Sequence, residues 1–527
     1  MRFSGQPARG VSTMKGVDQR RETAQLGVRR KTKHGVGGIF AILIAVNCCG
    51  VAPQLALEPT MSDYKLLING RLTVGAATLD VINPATEEIL AVAPRADRAQ
   101  LDEAVAAAKA AFPAWSAQPI AERGKLLIRL ADALEARHAE FARLLTEEQG
   151  KPLPHAMGEI AGSVGLIRYF ASLDLPMTVL KEDETQKVVQ QRRPLGVVAA
   201  IMPWNFPMML LMIKLAPALI AGNTLVAKPA PTTPLTALRF GELCADILPA
   251  GVVNVIVDQN DLGGALTSHP DVAKVAFTGS TATGKKVMES VAGTLKRLTL
   301  ELGGNDAAIV LDDANLDDVA PKVFAGAMIN SGQVCLAIKR LYVHDSQYDA
   351  MCDALGDLAR AAIVDDGLKQ GAEMGPLQNK TQFEKVKGFL EDAKQNGIIV
   401  AGGDAIDRKG YFIAPTIVRD IPDDARLVRE EQFGPVLPVL RYSEIDDVVS
   451  RANDTEYGLG GTVWSSNLDR AFDVAARIDS GTVWVNKHMD IQPDIPFAGA
   501  KQSGFGVEMG REGLEEFTQA KIINMAK

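Results

Sequence analysis

Two tandem α/β domains with mostly parallel sheets are what the sequence predicts, and three observations carry the prediction. At 527 residues the chain is too long for one ordinary hydrophobic core, so more than one domain is expected. After Pro194, short β-branched runs (GVVAAIM, NTLVAK, GVVNVIV, VAKVAFTG) alternate with helix-length segments. Buried parallel strands read as such continuous apolar runs, with helices packed over their faces. A second series starts at DAAIVLDD (306–313), passes through RLYVHD and GIIVAGG and reaches GTVWVN (481–486), which puts a seam near Gly303–Gly304.

Taken in order, residues 1–60 stand apart. They hold nine Lys/Arg against three Asp/Glu, a balance of +6 that leaves −14 for residues 61–527 within the net −8. A basic stretch before GIFAILIAV (38–46) has the shape of a signal peptide. MSDYKLLINGRL, from Met61, already reads as polar residues leading into a strand. The expectation is therefore that 1–60 are a leader or a mis-assigned upstream extension, with a cytoplasmic protein and export as the alternative. Residues 97–149 alternate alanine, leucine and charge as two amphipathic helices broken at Pro113–Pro119. DETQKVVQQRRP (183–194) alternates polar and apolar residues, as an edge strand or hairpin arm does when a partner subunit covers it.

Composition excludes several functions. Hydrophobic residues make up 47% and charged residues 23% of the chain, and no uninterrupted apolar run is long enough to span a bilayer. No basic cluster with interleaved aromatics accompanies the net negative charge, so neither nucleic acid nor a membrane is expected as a partner of the mature domain. Five cysteines without a C-x-x-C, and six histidines never at ligand spacing, leave no metal site to expect. The acidic run DDANLDD (312–318) reads as a strand exit leading into a helix N-terminus. Chemistry must then come from a side chain or an organic cofactor.

Several motifs sit at strand ends, where open α/β sheets bind ligands. FTGSTATGKK (277–286) joins a strand to a helix, and Gly279 and Gly284 allow a phosphate to approach the backbone. It nearly spells a P-loop, but Lys286 stands where a magnesium-binding hydroxyl would be, which leaves a dinucleotide pyrophosphate. GFGVEMG (504–510) opens no strand–helix–strand unit and reads as a turn. LTLELGGND places Glu301 at a strand end among apolar residues that would raise its pKa toward that of a general base. PWNFP fixes Asn205 between prolines, where its amide can face a developing oxyanion. VAKPAPTTP ends a strand on Lys228, and NSGQVC leads through Gly332 and Gln333 to Cys335. Each has a plain reading in isolation: a turn asparagine, a solvated lysine, a packed cysteine. Gathered in one cleft they form a nucleophile, a base, an amide donor and a cofactor loop.

PWNFP, FTGSTATG, LELGG, SGQVC and EEQFGP (430–435), in that order, resemble the aldehyde dehydrogenase superfamily, and the resemblance runs to PFAGAKQSGFGVEMG (496–510). The 34-residue separation of Glu301 and Cys335 resembles its hydrolytic members. The resemblance implies NAD(P)-dependent oxidation of an aldehyde to its acid. Cys335 would be the nucleophile, giving a thiohemiacetal held by Asn205 and the Cys335 N–H and then a thioester, and Glu301 would activate the water that opens it. It implies that Lys228 and Glu431 lie at ribose-binding positions, Phe433 near the nicotinamide, and Trp204 and Ser280 beside the adenosine and pyrophosphate. It further implies a Rossmann-like NAD(P)-binding domain over 61–182 and 195–303, a catalytic domain over 304–515, and a small β oligomerisation element over 183–194 and 516–527. A homodimer or homotetramer would follow.

Two details bear on specificity. NAD is the expected cofactor; NAD-preferring members often carry a glutamate three residues after the lysine, where this chain has Pro231, and loss of that charge, which would repel a 2′-phosphate, keeps NADP open. The positions corresponding to the aldehyde tunnel are Phe206, Met209, Leu210, Ile213, Val334, Leu336, Ile491 and Phe497, all apolar and without an arginine for a substrate carboxylate. That points to a medium-chain, terpenoid or aromatic aldehyde rather than succinate semialdehyde. The rivals are a semialdehyde dehydrogenase, a coenzyme A-acylating relative and a non-enzymatic scaffold; the presence of Glu301, Cys335 and Asn205 disfavours the last two.

Overall fold

The computed structural model describes residues 64–527. The leader expected over 1–60 lies outside them. β1 (Leu66–Ile68) and β2 (Arg71–Thr73) pair tightly, and β3 (Ala77–Asn83) and β4 (Glu88–Arg95) make a separate antiparallel ribbon. Four helices follow, at 98–117, 120–136, 138–149 and 153–171. The sequence suggested two helices up to residue 149, and the structure has three. The first break falls at Gln118, which precedes Pro119 and is held extended by it. The second is the lone non-helical Arg137, on either side of which a helix packs against 153–171.

β5 (Thr178–Glu182) and β6 (Gln186–Pro194) form a hairpin. Then β7 (Val197–Ile201), β8 (Thr224–Lys228), β9 (Val253–Val255), β10 (Val272–Thr278) and β11 (Arg297–Glu301) alternate with helices 207–221, 235–247, 263–268 and 281–292. The second series holds β12 (Asp306–Val310), β13 (Ile338–His344), β14 (Ile398–Ala401), β15 (Thr416–Arg419) and β16 (Val436–Tyr442). The chain closes through β17 (Tyr457–Gly458), β18 (Gly460–Trp464), β19 (Thr482–Val485), β20 (Ala500–Lys501), β21 (Gly504–Phe505) and β22 (Thr518–Ala526).

Two large sheets result. The first runs β2-β1-β9-β8-β7-β10-β11-β21, parallel from β9 to β11 and antiparallel at both ends; the second runs β14-β15-β16-β13-β12-β18-β19, parallel except for β14. The chain passes from one to the other over residues 302–305. Apolar strands are buried on both faces, as the uninterrupted β-branched runs require.

Two readings of the sequence need correction. GFGVEMG is more than a turn: its first two residues are β21, paired with β11 so that Gly504 lies opposite Glu301. And for 183–194 the hairpin arm holds but the edge does not: β6 is the centre of the small sheet β22-β6-β5, in which β5 begins at Thr178, ahead of the expected start of that element at 183. Its polar alternation reflects a sheet with little core of its own; within β6 only Val189 is buried. Among the described residues no helix is long and apolar enough to cross a membrane. In the acidic run, Asn315 caps helix 316–328 while Asp312 and Asp318 pair with Arg470 and Lys322.

Candidate active site

Cys335 follows a segment whose backbone is forced. Asn330, Ser331 and Gly332 adopt φ of 51°, 55° and 72° in succession. Left-handed conformation costs a non-glycine residue roughly 1–2 kcal/mol, so the surroundings must hold it. At Gly332 a Cβ would lie 2.2 Å from the Gly434 carbonyl oxygen, so only glycine fits there. Gln333, fully buried, staples the loop: its Nε2 donates to the Asn330 carbonyl at 2.9 Å and its Oε1 accepts from the Gln378 N–H at 2.8 Å. Below it, Lys339 Nζ donates to the carbonyls of Val334 and Cys335 at 2.9 and 2.7 Å.

Cys335 is partly exposed, whereas Cys244 and Cys352 are buried. Desolvation pushes the Cys335 thiol up to about 12, opposed by the Lys339 ammonium and aided by the carboxylates of Glu431, Asp306 and Glu301. The thiol is thus stored neutral, and attack requires loss of its proton.

Asn205 reaches the same loop from the end of β7. Its Nδ2 donates to the Gln333 carbonyl at 3.0 Å, and its own carbonyl accepts from Lys151 Nζ at 2.9 Å and Asn330 Nδ2 at 3.2 Å. Lys151 is fully buried, paired with Glu159 and seated 3.7 Å from the centre of the Phe206 ring. Glu159 Oε1 in turn accepts the N–H groups of Met208 and Met209 at the start of helix 207–221. This buried pair fixes the PWNFP turn at both its carbonyl and its helix end.

Glu301, 5% exposed at the end of β11, has two carboxylate oxygens without a hydrogen-bond partner. Burial, and then the Glu508 carboxylate, raise its pKa well above the ordinary carboxylate value, while Lys214 opposes the rise. Lys214 Nζ donates to Thr278 Oγ1 at 2.6 Å and Glu508 Oε1 at 2.7 Å, all within the buried interior.

The predicted cofactor residues fall into two groups. Trp204 and Phe433, from opposite sides of the seam, meet edge to face with ring centres 5.4 Å apart. Glu431 Oε1 accepts from the Gly304 N–H at 3.0 Å and lies 3.6 Å from Lys339 Nζ. The seam glycines make this possible: a Cβ on Gly303 would sit 2.5 Å from Glu431 Oε2, and one on Gly304 2.5 Å from the Cys335 carbonyl oxygen. Lys228, at the end of β8, is paired with Asp258 at 2.6 Å. Ser280 caps helix 281–292 by accepting from the Thr283 N–H. Gly279 and Gly284 have packing reasons as well: a Cβ on Gly279 would strike the Phe277 ring at 2.6 Å and one on Gly284 the Leu302 side chain at 2.5 Å. The Gly284 N–H is committed to the Ser280 carbonyl, so close helix–sheet approach explains that glycine.

The predicted substrate residues Phe206, Met209, Ile213, Val334, Leu336, Ile491 and Phe497 all belong to the extended buried core that runs from Leu66 to Phe517, and Cys335 and the half-buried Leu210 pack against that core. His488 and Met489, not singled out from the sequence, join this neighbourhood; His488 Nε2 lies 2.6 Å from the Leu336 carbonyl oxygen. Sequence reasoning also passed over Lys151, Glu159, Lys214, Asp258, Lys339 and Glu508. Lysines inside apolar stretches, as in LLMIKLAP and LAIKR, were the available signal, because a buried lysine needs a partner.

Comparison with known proteins identifies the family. A family model described as the aldehyde dehydrogenase family matches residues 73–523. A mitochondrial aldehyde dehydrogenase of Leishmania tarentolae is 42% identical over 482 residues, covering 90% of this chain and 97% of its own. Phenylacetaldehyde dehydrogenase of Pseudomonas fluorescens is 40% identical over 490 residues, covering 89% and 97%. Among solved structures, an NAD+ complex of aldehyde dehydrogenase from Bacillus cereus superposes with a TM-score of 0.86 at 38% identity, covering 88% of this chain and 97% of that one.

Proposed function

The chain belongs to the aldehyde dehydrogenase family, and from that premise we propose that it oxidises an apolar aldehyde to the carboxylic acid with NAD(P)+ through a thioester on Cys335. The observation that carries this reading is a partly exposed thiol whose loop is bonded to the Asn205 amide and whose electrostatic surroundings include an unpartnered buried carboxylate, Glu301. The residues present suit the dinucleotide. Ser280 and the N-terminus of helix 281–292 would hold its pyrophosphate, Lys228 and Glu431 its ribose hydroxyls, and the Trp204–Phe433 pair would border its rings. Bound NAD(P)+ supplies the acceptor for the aldehyde's hydride.

The chain's own groups do the rest. Cys335 Sγ gives its proton to water and, as the thiolate, bonds to the aldehyde carbon. The carbonyl oxygen gathers charge, which the Cys335 N–H and Asn205 Nδ2 stabilise; Gln333 occupies one of the two Nδ2 hydrogens and leaves the other available. Once the carbon is at the acyl level, Glu301 takes a proton from water, the resulting hydroxide adds to the thioester carbon, and the C–S bond breaks to release the acid. A carboxyl group whose pKa burial and Glu508 raise above the usual range is a stronger base than an ordinary carboxylate, which suits a group that must accept that proton. In this reading the eight-stranded sheet carries the cofactor and the seven-stranded sheet presents the nucleophile.

The apolar surroundings of Cys335 favour a medium-chain, terpenoid or aromatic aldehyde. Phenylacetaldehyde and octanal are expected to exceed succinate semialdehyde in kcat/KM by about a hundredfold, because an unpaired carboxylate in an apolar site forfeits about 3 kcal/mol or more. A clear preference for the semialdehyde, in a comparison of kcat/KM values on one preparation, overturns the substrate assignment.

A homo-oligomer completes the reading. The sheet β22-β6-β5 leaves Val179, Leu180, Ile522 and Met525 exposed, and a lone three-stranded sheet with apolar residues facing water gains from being covered. Sedimentation velocity is expected to give two or four times the 56.3 kDa chain mass. A monomer at micromolar concentration contradicts it.

A further inference from the structure

We propose that Asp258 makes this enzyme select NAD+ over NADP+ by pre-neutralising Lys228, the cation that would otherwise receive a 2′-phosphate. The inference rests on the dinucleotide reading above and narrows it. Lys228 ends β8, and Asp258 lies three residues beyond the end of the neighbouring parallel strand β9, so both stand at the carboxyl edge where such sheets hold ligands. The turn after Lys228 (Pro229, Ala230, Pro231, Thr232, Thr233, Pro234) contains no acid. A carboxylate comes instead from the next crossover: Asp258 Oδ1 accepts from Lys228 Nζ at 2.6 Å, and its Oδ2 accepts from the Leu262 N–H at 2.9 Å. Asp258 is fully buried, so both of its oxygens are held in place and water does not screen the pair.

The same loop neutralises a second cation. Asp261 holds the Arg95 guanidinium at 2.6 Å, and the Ala96 N–H donates to the Val257 carbonyl, which brings the end of β4 against this loop. The two cations at this corner are thus already matched by acids of one six-residue loop, Val257–Leu262. A ribose bearing a free 2′-hydroxyl can still donate to a carboxylate or accept from the lysine. A 2′-phosphate would bring nearly two negative charges next to a buried carboxylate, and neither Lys228 nor Arg95 is free to pair with it.

The test uses the full-length protein and compares 5′-AMP with 2′,5′-ADP by isothermal calorimetry, alongside kcat/KM for NAD+ and NADP+ with one aldehyde. Wild type is expected to bind 2′,5′-ADP at least about tenfold more weakly than 5′-AMP. Asp258→Asn is expected to tighten 2′,5′-ADP and lower the NAD+:NADP+ ratio, each by about tenfold or more, since the lysine becomes free to pair with phosphate. Asp258→Ser, which removes the carboxylate with less bulk, is read by the same criteria if the asparagine variant does not fold. Wild type binding 2′,5′-ADP as tightly as 5′-AMP overturns the proposal. So does a folded variant in which neither quantity moves. Failure to oxidise any aldehyde with either cofactor would instead count against the dinucleotide reading, because the binding comparison stands without turnover.

Discussion

Cys335→Ala is expected to lower aldehyde-dependent NAD(P)H formation by about 10⁴-fold or more, because covalent capture of the aldehyde is the step from which the remaining chemistry follows. Cys352→Ala and Cys244→Ala serve as controls. Both thiols are buried, and burial pushes Cys352 to about 11 and Cys244 higher still. They are expected to change melting temperature more than rate. The thiol's protonation adds a pH signature. With Cys335 pushed up to about 12 in the free protein, the thiolate fraction grows tenfold per pH unit across the neutral range, and so should the rate of inactivation by iodoacetamide. A Cys335→Ala protein that keeps activity within tenfold of wild type removes the covalent mechanism. An alkylation rate that is flat with pH would show that the thiol is not stored neutral.

How far the sequence revealed this site depends on how local each signal was. The parallel strands from β7 to β11 were legible because a strand buried on both faces has to be continuously apolar, and the run TLVAK needs no distant partner to be recognised. Cys335 and Asn205 were legible only as candidates: the contact between Asn205 Nδ2 and the Gln333 carbonyl spans 128 residues, and nothing in either motif specifies it. Lys214 and Glu508 lie 294 residues apart. Lys214 looked like one polar residue in a helix of methionines and leucines, and Glu508 sat in a stretch read as a turn because a two-residue strand is too short to show periodicity. Lys228 was recognised as a cation at a ligand edge, but its partner came from another crossover and so escaped a reading that looked only along the motif.

Glu301→Gln separates the two halves of the proposed reaction. The substitution keeps the shape of the side chain and removes only its ability to accept a proton. Capture of the aldehyde and hydride loss should survive, giving a burst of NAD(P)H near one equivalent per site. Steady-state turnover should fall by about 10²–10⁴-fold as the thioester waits for an unassisted water. Intact-protein mass spectrometry after quenching is expected to find the acyl adduct on Cys335. In wild type, kcat should rise with pH through an acid limb lying above the usual carboxylate range, because burial and Glu508 raise Glu301, and the glutamine variant should lack that limb. Stability follows from the same shift. A carboxyl raised in the folded state contributes most when protonated, below its unfolded pKa, and that contribution is lost as pH rises through the folded value. The melting-temperature difference between Glu301→Gln and wild type should therefore move in the variant's favour on going from acid to alkaline pH. If the burst and the steady state fall together, Glu301 is acting on the Cys335 thiol before hydride loss, and the assignment of thioester hydrolysis to it fails.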